Sequence, residues 1–196
     1  MLRITPEIEE KRSKKVILWS GLYLLGSFIS LQRISISGTD FTEFHPIDVL
    51  VYFSVAVFIP NCFFLWEWVK SLIITSRSIQ PEGFGYRDGW AFWGWITPVF
   101  SWWVPKRLID NTSLIFAIYT GRDRLISTTK WWAIFVSSSI IGMLGFNTGS
   151  QQNAFGTIAS IISTVLLALA FPLWKKVVEE TSLAHQAALV KLSLTD

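Results

Sequence analysis

The 196-residue sequence is 51% hydrophobic, with 11 tryptophans and 15 phenylalanines, and only 16% of its residues are charged, which lies outside the composition of ordinary soluble domains. The charges gather in clusters that separate long uncharged segments, as expected where a charge at the centre of a lipid bilayer costs about 3 kcal/mol. The net charge of +3 is therefore interpreted as membrane topology and not as nucleic-acid binding, and the single cysteine excludes an intrachain disulfide.

The first half of the chain contains two predicted membrane spans. The first covers residues 16–36 and approaches the ~20 residues that a membrane helix requires. Its basic start and apolar core also fit a cleaved signal peptide, but the sequence after Leu31 offers no small-residue cleavage site, so a retained span is preferred. The second span covers residues 47–69 and contains Pro60, which is expected to kink it.

Two further spans are predicted in the second half, at residues 131–146 and 154–174. The polar connectors within each pair of spans are short, which fits hairpins between antiparallel helices. The predicted fold class is all-α, an integral membrane four-helix bundle that forms one transmembrane domain over residues 1–196. Residues 1–15 and 175–196 are its two tails.

The distribution of lysine and arginine supports an even number of spans. Short cytoplasmic segments are expected to hold most of these residues. With four spans, all but one of the 17 Lys and Arg residues fall on one side, and Arg33 alone lies on the other. Three or five spans would remove this asymmetry. The pattern therefore places both termini and the loop between spans two and three in the cytoplasm.

Residues 89–120, within that loop, are rich in tryptophan and proline. Pro98 and Pro105 prevent one continuous helix, and tryptophan favours the membrane interface because its apolar ring carries a donor that prefers water. We expect a re-entrant or surface-lying turn. The predicted membrane-interface residues, including the pair that opens span three, are Trp90, Trp93, Trp95, Trp102, Trp103, Trp131 and Trp132.

An amphipathic helix is predicted from Pro105 to Gly121. One alternative places it along the cytoplasmic membrane surface, and the other packs it on the cytoplasmic end of the bundle; the sequence does not separate them. One face of the helix holds Leu108, Ile109, Thr112, Ile115, Phe116 and Tyr119. The residues predicted to meet lipid headgroups are Lys106, Arg107, Arg122, Arg124 and Lys130.

The central motif resembles a known family. Gly94-Trp95-x-x-Pro98-Val99-x-x-x-Trp103-x-Pro105, then an amphipathic helix, then Trp131-Trp132, is similar to bacterial membrane proteins grouped as domain-of-unknown-function family 4328. The resemblance runs from the second span onward and includes the segment around His185. The sequence departs from the pattern at Ser101, where asparagine is expected, and at Val104, where a basic residue is usual. The resemblance implies a four-span protein of the bacterial cytoplasmic (inner) membrane and implies no activity.

Few residues offer chemistry, and no enzyme activity is predicted. His45 is expected at the outer face and His185 beyond the inner end of span four, about 30 Å away, so a paired-histidine haem site is excluded. A surface or interfacial position is the preferred interpretation of each histidine. Asp40, Glu43, His45 and Asp48 could recruit a divalent cation, but a solvated loop is preferred. No metal or cofactor is predicted; bound lipid is expected, and a pigment is left open.

Small residues recur along span four and predict close helix packing. Packing inside the bundle is preferred over an external partner. The predicted helix-packing residues are Gly156, Ser160, Thr164 and Ala168 on span four, with Ser138 and Gly142 on span three. The charged segment at residues 6–15 is predicted to be a solvated helix.

Three functions are weighed. The preferred one is a non-catalytic accessory, scaffolding or assembly subunit that docks on a larger membrane complex, whether respiratory, photosynthetic, secretory or transport. Its partners would be the lipid bilayer and other integral membrane proteins in a hetero-complex, with no nucleic acid. The alternatives are a small transporter or channel component, which should carry polar groups at mid-membrane, and a lipid-interacting membrane sensor.

Overall fold

The described part of the computed structural model is entirely helical. It comprises residues 4–37, 46–82, 85–97, 100–122, 127–147 and 154–194, and within these ranges the chain forms α-helices and one short 3-10 helix without any strand. The predicted all-α class is confirmed. The helices are α1 (Pro6–Ser37), α2 (Pro46–Ile79), α3 (Trp90–Ile96), the 3-10 helix η1 (Phe100–Trp102), α4 (Val104–Thr120), α5 (Thr129–Asn147) and α6 (Ala154–Ser193).

Local sequence explains where several helices begin and end. Thr5 precedes α1 and its hydroxyl oxygen accepts a bond from the Ile8 N–H at 3.4 Å, while Pro6 occupies the first helical position, where no N–H is needed. Gly121 caps the C-terminal end of α4, and its φ of 70° suits a residue without a Cβ atom. The Arg122 N–H bonds back to the Ala117 carbonyl at 2.9 Å, which completes a Schellman motif. The predicted end of this helix is confirmed, and its start lies one residue before Pro105.

The chain divides into two compact units. Unit 1 contains Met1–Ile17, Phe63–Thr129 and Lys175–Asp196, and unit 2 contains Leu18–Cys62 and Lys130–Trp174. Helices α1, α2 and α6 each contribute a part to both. The largest enclosed apolar side chains of unit 1 are Trp68, Leu72, Ile73, Leu108, Ile109 and Phe116. The interpretation of residues 1–196 as one domain stays a prediction.

The close approach of α3 to α4 in unit 1 depends on Gly94. A Cβ atom at this position would lie 2.8 Å from Cγ1 of Val104, and a β-branched side chain has little freedom to move away. Gly94 opens the motif quoted above, and Val104 lies within it at the position where the sequence departs from the family pattern. The short helix α3 therefore needs a glycine where it meets the first turn of α4.

Within unit 2, α5 packs against α6 through serine side chains. Ser138 and Ser163 each donate a hydroxyl bond to the other's carbonyl oxygen, at 2.8 and 2.9 Å, and a Cβ atom on Gly142 would come within 3.0 Å of the Ser163 hydroxyl oxygen. Ser138 and Gly142 thus do lie against α6. The residue they meet is Ser163, which lies beside the predicted Ser160 and Thr164 positions and was not predicted.

Two helices are long and apolar enough to cross a membrane: α2, over Val55–Ile79, and α6, over Phe155–Ser193. By the same measure the other described helices do not qualify. The sequence predicts four spans, and because two of the described helices qualify, the four-span bundle stays a prediction. Length and hydropathy establish two candidate spans.

Candidate functional site: a buried polar cluster

Six buried polar side chains, none more than 3% exposed, meet inside unit 1. We call them the buried polar cluster: Glu9 from α1, Trp68, Ser71 and Thr75 from α2, and Ser182 and His185 from α6. Glu9 and His185 are both 0% exposed. Enclosed ionisable groups are costly unless they are paired and hydrogen-bonded, so their partners decide what this region can do.

Helical spacing brings the cluster together. Trp68, Ser71 and Thr75 are three and four positions apart on α2, and residues at these intervals lie on one helix face. Ser182 and His185 are likewise three positions apart on α6. Glu9 lies in the first turn of α1, where the helix dipole favours a negative charge.

Both carboxylate oxygens of Glu9 accept hydrogen bonds. The Ser182 hydroxyl donates to Oε1 at 3.2 Å, and the Ser71 hydroxyl lies 3.0 Å from Oε2 and 2.7 Å from the Trp68 carbonyl oxygen, between which it divides its proton. The indole Nε1–H of Trp68 in turn donates to the Ser182 hydroxyl oxygen at 2.9 Å. These bonds replace part of the hydration that the carboxylate loses on burial.

The imidazole of His185 lies between a hydroxyl and a carboxylate. Its Nε2 is 2.7 Å from the Thr75 hydroxyl oxygen. Its Nδ1 is 3.2 Å from Oε2 of Glu9, but the direction is poor and Nδ1 makes no well-aligned hydrogen bond. The ring of Phe116, from α4, stacks on the imidazole with centroids 4.9 Å apart and planes 7° apart. His185 therefore joins α6 to α1, α2 and α4.

The order carboxylate, imidazole, hydroxyl is the one that activates a nucleophile in many hydrolases. Here the hydroxyl belongs to Thr75, which is only 3% exposed, so a substrate does not reach it in this structure. What the arrangement can do is bind protons and hold four helices together. The cluster is therefore a candidate proton-binding site and a structural junction.

The burial of His185 corrects the sequence analysis. The preferred surface or interfacial position is wrong, because the ring is completely enclosed. The prediction of a solvated helix at residues 6–15 is correct for Glu7, Lys11 and Lys14, which are exposed. It is wrong for Glu9, which is buried. A usable signal was present: Glu9, Ser13 and Val16 are spaced as one buried helix face.

The predicted aromatic set is distributed over both units. In unit 1, Trp93 is 58% exposed and Trp102 and Trp103 are also exposed, while Trp90 and Trp95 are half-buried. In unit 2, Trp131 and Trp132 are buried, and Trp131 stacks on Trp174 with ring centroids 4.6 Å apart. A position at the membrane interface stays a prediction for all seven, with Trp93, Trp102 and Trp103 the best placed to reach one.

The apolar face of α4 is turned into unit 1. Leu108, Ile109, Thr112, Ile115 and Phe116 are all buried, and the half-buried Tyr119 lies at the edge of this face. Ser113, beside Thr112, lies 3.4 Å from Thr181 of α6 through their hydroxyl oxygens. Of the two alternatives left open, the structure supports packing on protein.

The basic residues of the predicted headgroup set lie at the surface where the structure describes them. Lys106 forms an ion pair with Asp110 at 2.5 Å, and Arg107, Arg122 and Lys130 are exposed. Arg124 lies outside the described residues. The same holds for Asp40, Glu43 and His45, which are considered as cation ligands with Asp48, and for the side chain of Asp48. Their roles stay predictions.

Residues 48–182 match the family described as "Domain of unknown function (DUF4328)". The matched range contains Trp68, Ser71, Thr75 and Ser182 of the buried polar cluster; Glu9 precedes it and His185 follows it. Comparisons with curated proteins and with solved structures gave no significant match. The resemblance found in the sequence is confirmed.

Truncation of Glu9 is expected to destabilise unit 1. Glu9→Ala should lower the free energy of unfolding by about 3 kcal/mol, because Ser71, Ser182 and His185 lose their shared partner inside the protein. Glu10→Ala is the matched control: Glu10 is exposed, and a hydrogen bond from Lys14 at 2.6 Å holds the pKa of its carboxyl below the ordinary value. Denaturant unfolding in detergent, followed by circular dichroism, measures both. Equal effects of the two substitutions would contradict a special role for Glu9.

Proposed function

The chain belongs to the DUF4328 family, and from that premise we propose that it is a non-catalytic integral membrane protein that docks on a larger membrane complex. Its role there would be that of an accessory, scaffolding or assembly subunit. The complex would be one of the respiratory, photosynthetic, secretory or transport assemblies of a membrane. The proposal rests on how apolar and polar side chains are arranged in the two units.

The main observation in support of this proposal is an exposed apolar stripe on α6, in unit 2. We call it the α6 stripe: Phe155, Ile158, Ile162, Val165 and Leu169, all of them exposed. Their alternating spacing of three and four residues is the spacing at which one helix packs along another. In water such a stripe would be unfavourable, whereas in a bilayer it can contact lipid or a partner helix. The α6 stripe is the proposed docking face.

A similar stripe on α2 supports a membrane environment for unit 2. Tyr52, Val55 and Ile59 are exposed at intervals of three and four residues, and Ile59 is 70% exposed. Asn61, beside Pro60, is hydrogen-bonded within the protein, since its Oδ1 accepts a bond from the Ser20 hydroxyl at 3.1 Å. Because this bond satisfies the Asn61 side chain inside the protein, it supports a role for Asn61 in helix packing and not in a polar path across the membrane. It therefore favours a docking subunit and not a transporter or channel.

A second candidate, a lipid-interacting membrane protein, is favoured by one observation in unit 1. The exposed face of α4 carries Leu114 and Ile118, and Trp93, Trp102 and Trp103 are exposed on the neighbouring segment. Aromatic and aliphatic side chains beside Arg107 and Arg122 fit the headgroup region of an anionic bilayer. This candidate predicts that the protein is recovered without protein partners.

The proposed topology is multi-pass, in the bacterial cytoplasmic (inner) membrane, with both termini in the cytoplasm. It is supported by the two candidate spans and by the segregation of Lys and Arg. Single cysteines in a Cys62→Ser background test it in intact cells. We expect a membrane-impermeant maleimide to label Thr148→Cys directly and Asn111→Cys only after permeabilisation. Labelling of both positions in intact cells, or of neither, would contradict this topology.

Steric substitution of the α6 stripe tests docking. Lipid chains rearrange around a tryptophan, whereas a closely packed partner helix cannot, so we expect Val165→Trp to release the protein from its complex. Leu25→Trp, at an exposed apolar position of α1 in the same unit, is the matched control and should leave the complex intact. Extraction in mild detergent, native electrophoresis and identification of co-purified proteins measure the outcome.

Two results would argue against docking through this face. The unmodified protein could migrate alone at its own mass of 22.3 kDa, which would favour the lipid-interacting candidate. Alternatively, Val165→Trp and Leu25→Trp could migrate in the same large assembly, which would exclude the α6 stripe as the contact.

A further inference from the structure

We propose that Glu9 and His185 form a proton-controlled latch, which holds the N-terminal part of α1 in unit 1 and releases it when the pair takes up a second proton. Neither the family assignment nor the docking proposal contains this idea. It follows from the geometry of the buried polar cluster, and it holds whether or not the protein docks on a complex.

The cluster can accommodate some charge states and not others. With Glu9 ionised, the carboxylate accepts from Ser71 and Ser182 and faces His185, whether the imidazole is neutral or charged. With both groups protonated, an imidazolium lies beside a neutral acid in a site closed to water. A buried charge without a counter-charge is strongly unfavourable. Acid therefore converts a compensated pair into an uncompensated one.

The described residues show no second counter-charge for the pair. The ion pair of His185 among them is the one with Glu9, and the other side chains in contact with the two groups are uncharged: Thr75 and Phe116 with His185, and Ser71 and Ser182 with Glu9. Several other charged side chains of unit 1 have partners elsewhere. These pairs are Glu10 with Lys14, Arg77 with Asp88, Lys106 with Asp110, Lys175 with Glu179, Lys176 with Glu180, and Lys191 with the Tyr119 carbonyl.

Few side chains at the start of α1 are buried in the described structure. Of residues 6–17, the buried side chains are those of Glu9, Ser13 and Val16, and only Val16 is apolar. Ser13 bonds to the carbonyl of Glu10 in its own helix at 2.9 Å. Lys15 adds a contact with the Phe64 ring at 5.0 Å from its centroid. Pro6, Arg12 and Ile17 are half-buried, and the described hydrogen bonds from this segment to other helices are those that Glu9 accepts from Ser71 and Ser182.

A neutral imidazole and a carboxylate can together take up two protons. The first proton leaves an imidazolium beside a carboxylate, which is still compensated. The second proton removes the compensation and frees Glu9 to leave with α1. The segment at residues 6–17 should therefore be held at neutral pH and released in acid.

Hydrogen exchange of the full-length protein in mild detergent, followed by mass spectrometry, tests the latch. We expect amide protection of residues 6–17 to fall at least about tenfold between about pH 6 and about pH 3, after correction for intrinsic exchange, because the released segment takes up the second proton on a solvated carboxyl group, and solvated carboxyl groups titrate within this interval. Protection of residues 155–170 in unit 2 serves as the internal reference and should not change. Constant protection of residues 6–17 over this interval overturns the proposal.

Variants separate the latch from general acid sensitivity. His185→Gln cannot form an imidazolium, so residues 6–17 should stay protected at both pH values. Glu10→Gln, one position from Glu9 but exposed, should keep the full loss seen in the unmodified protein. If His185→Gln loses protection in acid as the unmodified protein does, the latch is wrong.

A double variant covers the case in which His185→Gln does not fold. Glu9→Leu with His185→Phe replaces both partners by apolar side chains, an exchange that buried ion pairs often tolerate. It should leave residues 6–17 protected at both pH values. An acid-induced loss in this variant, which has neither titrating group, would also overturn the proposal.

Discussion

Glu9 and His185 must be compensated by the protein itself, because neither has any contact with solvent. That constraint explains the arrangement of polar groups in unit 1. Ser71 and Ser182 supply donors to the carboxylate, Thr75 meets the imidazole, and Phe116 covers the ring. One pair of ionisable side chains thereby links the start of α1, the latter part of α2, α4 and the latter part of α6.

Local signals in the sequence predicted local structure well. Pro105 and Gly121 marked the limits of α4 to within one residue, because proline and glycine act through their own backbone geometry. The buried polar cluster was missed for the opposite reason. Glu9 and Ser182 are 173 positions apart, and hydropathy along the chain carries no information about such a contact. A charged residue in a charged segment is normally solvated, and Glu9 is the exception.

The two units differ in how they use polar groups. In unit 1 an ionisable pair is enclosed, whereas in the described part of unit 2 the contact between α5 and α6 is made by neutral groups, Ser138 and Ser163. Unit 2 leaves apolar side chains exposed along α2 and α6, the two candidate spans. This contrast supports the proposed membrane environment for unit 2. The predicted small-residue stripe missed Ser163 because spacing alone does not define which side of α6 faces α5.

The enclosure of His185 beside Glu9 is the claim on which the account of unit 1 depends. Nuclear magnetic resonance of protein labelled with ¹⁵N at histidine measures it directly, with a His45→Gln variant to assign the signals. The account predicts a ring N–H proton of His185 that exchanges slowly with water and whose signal shifts when Glu9 is replaced. A ring proton in fast exchange with water, and insensitive to that replacement, would contradict it.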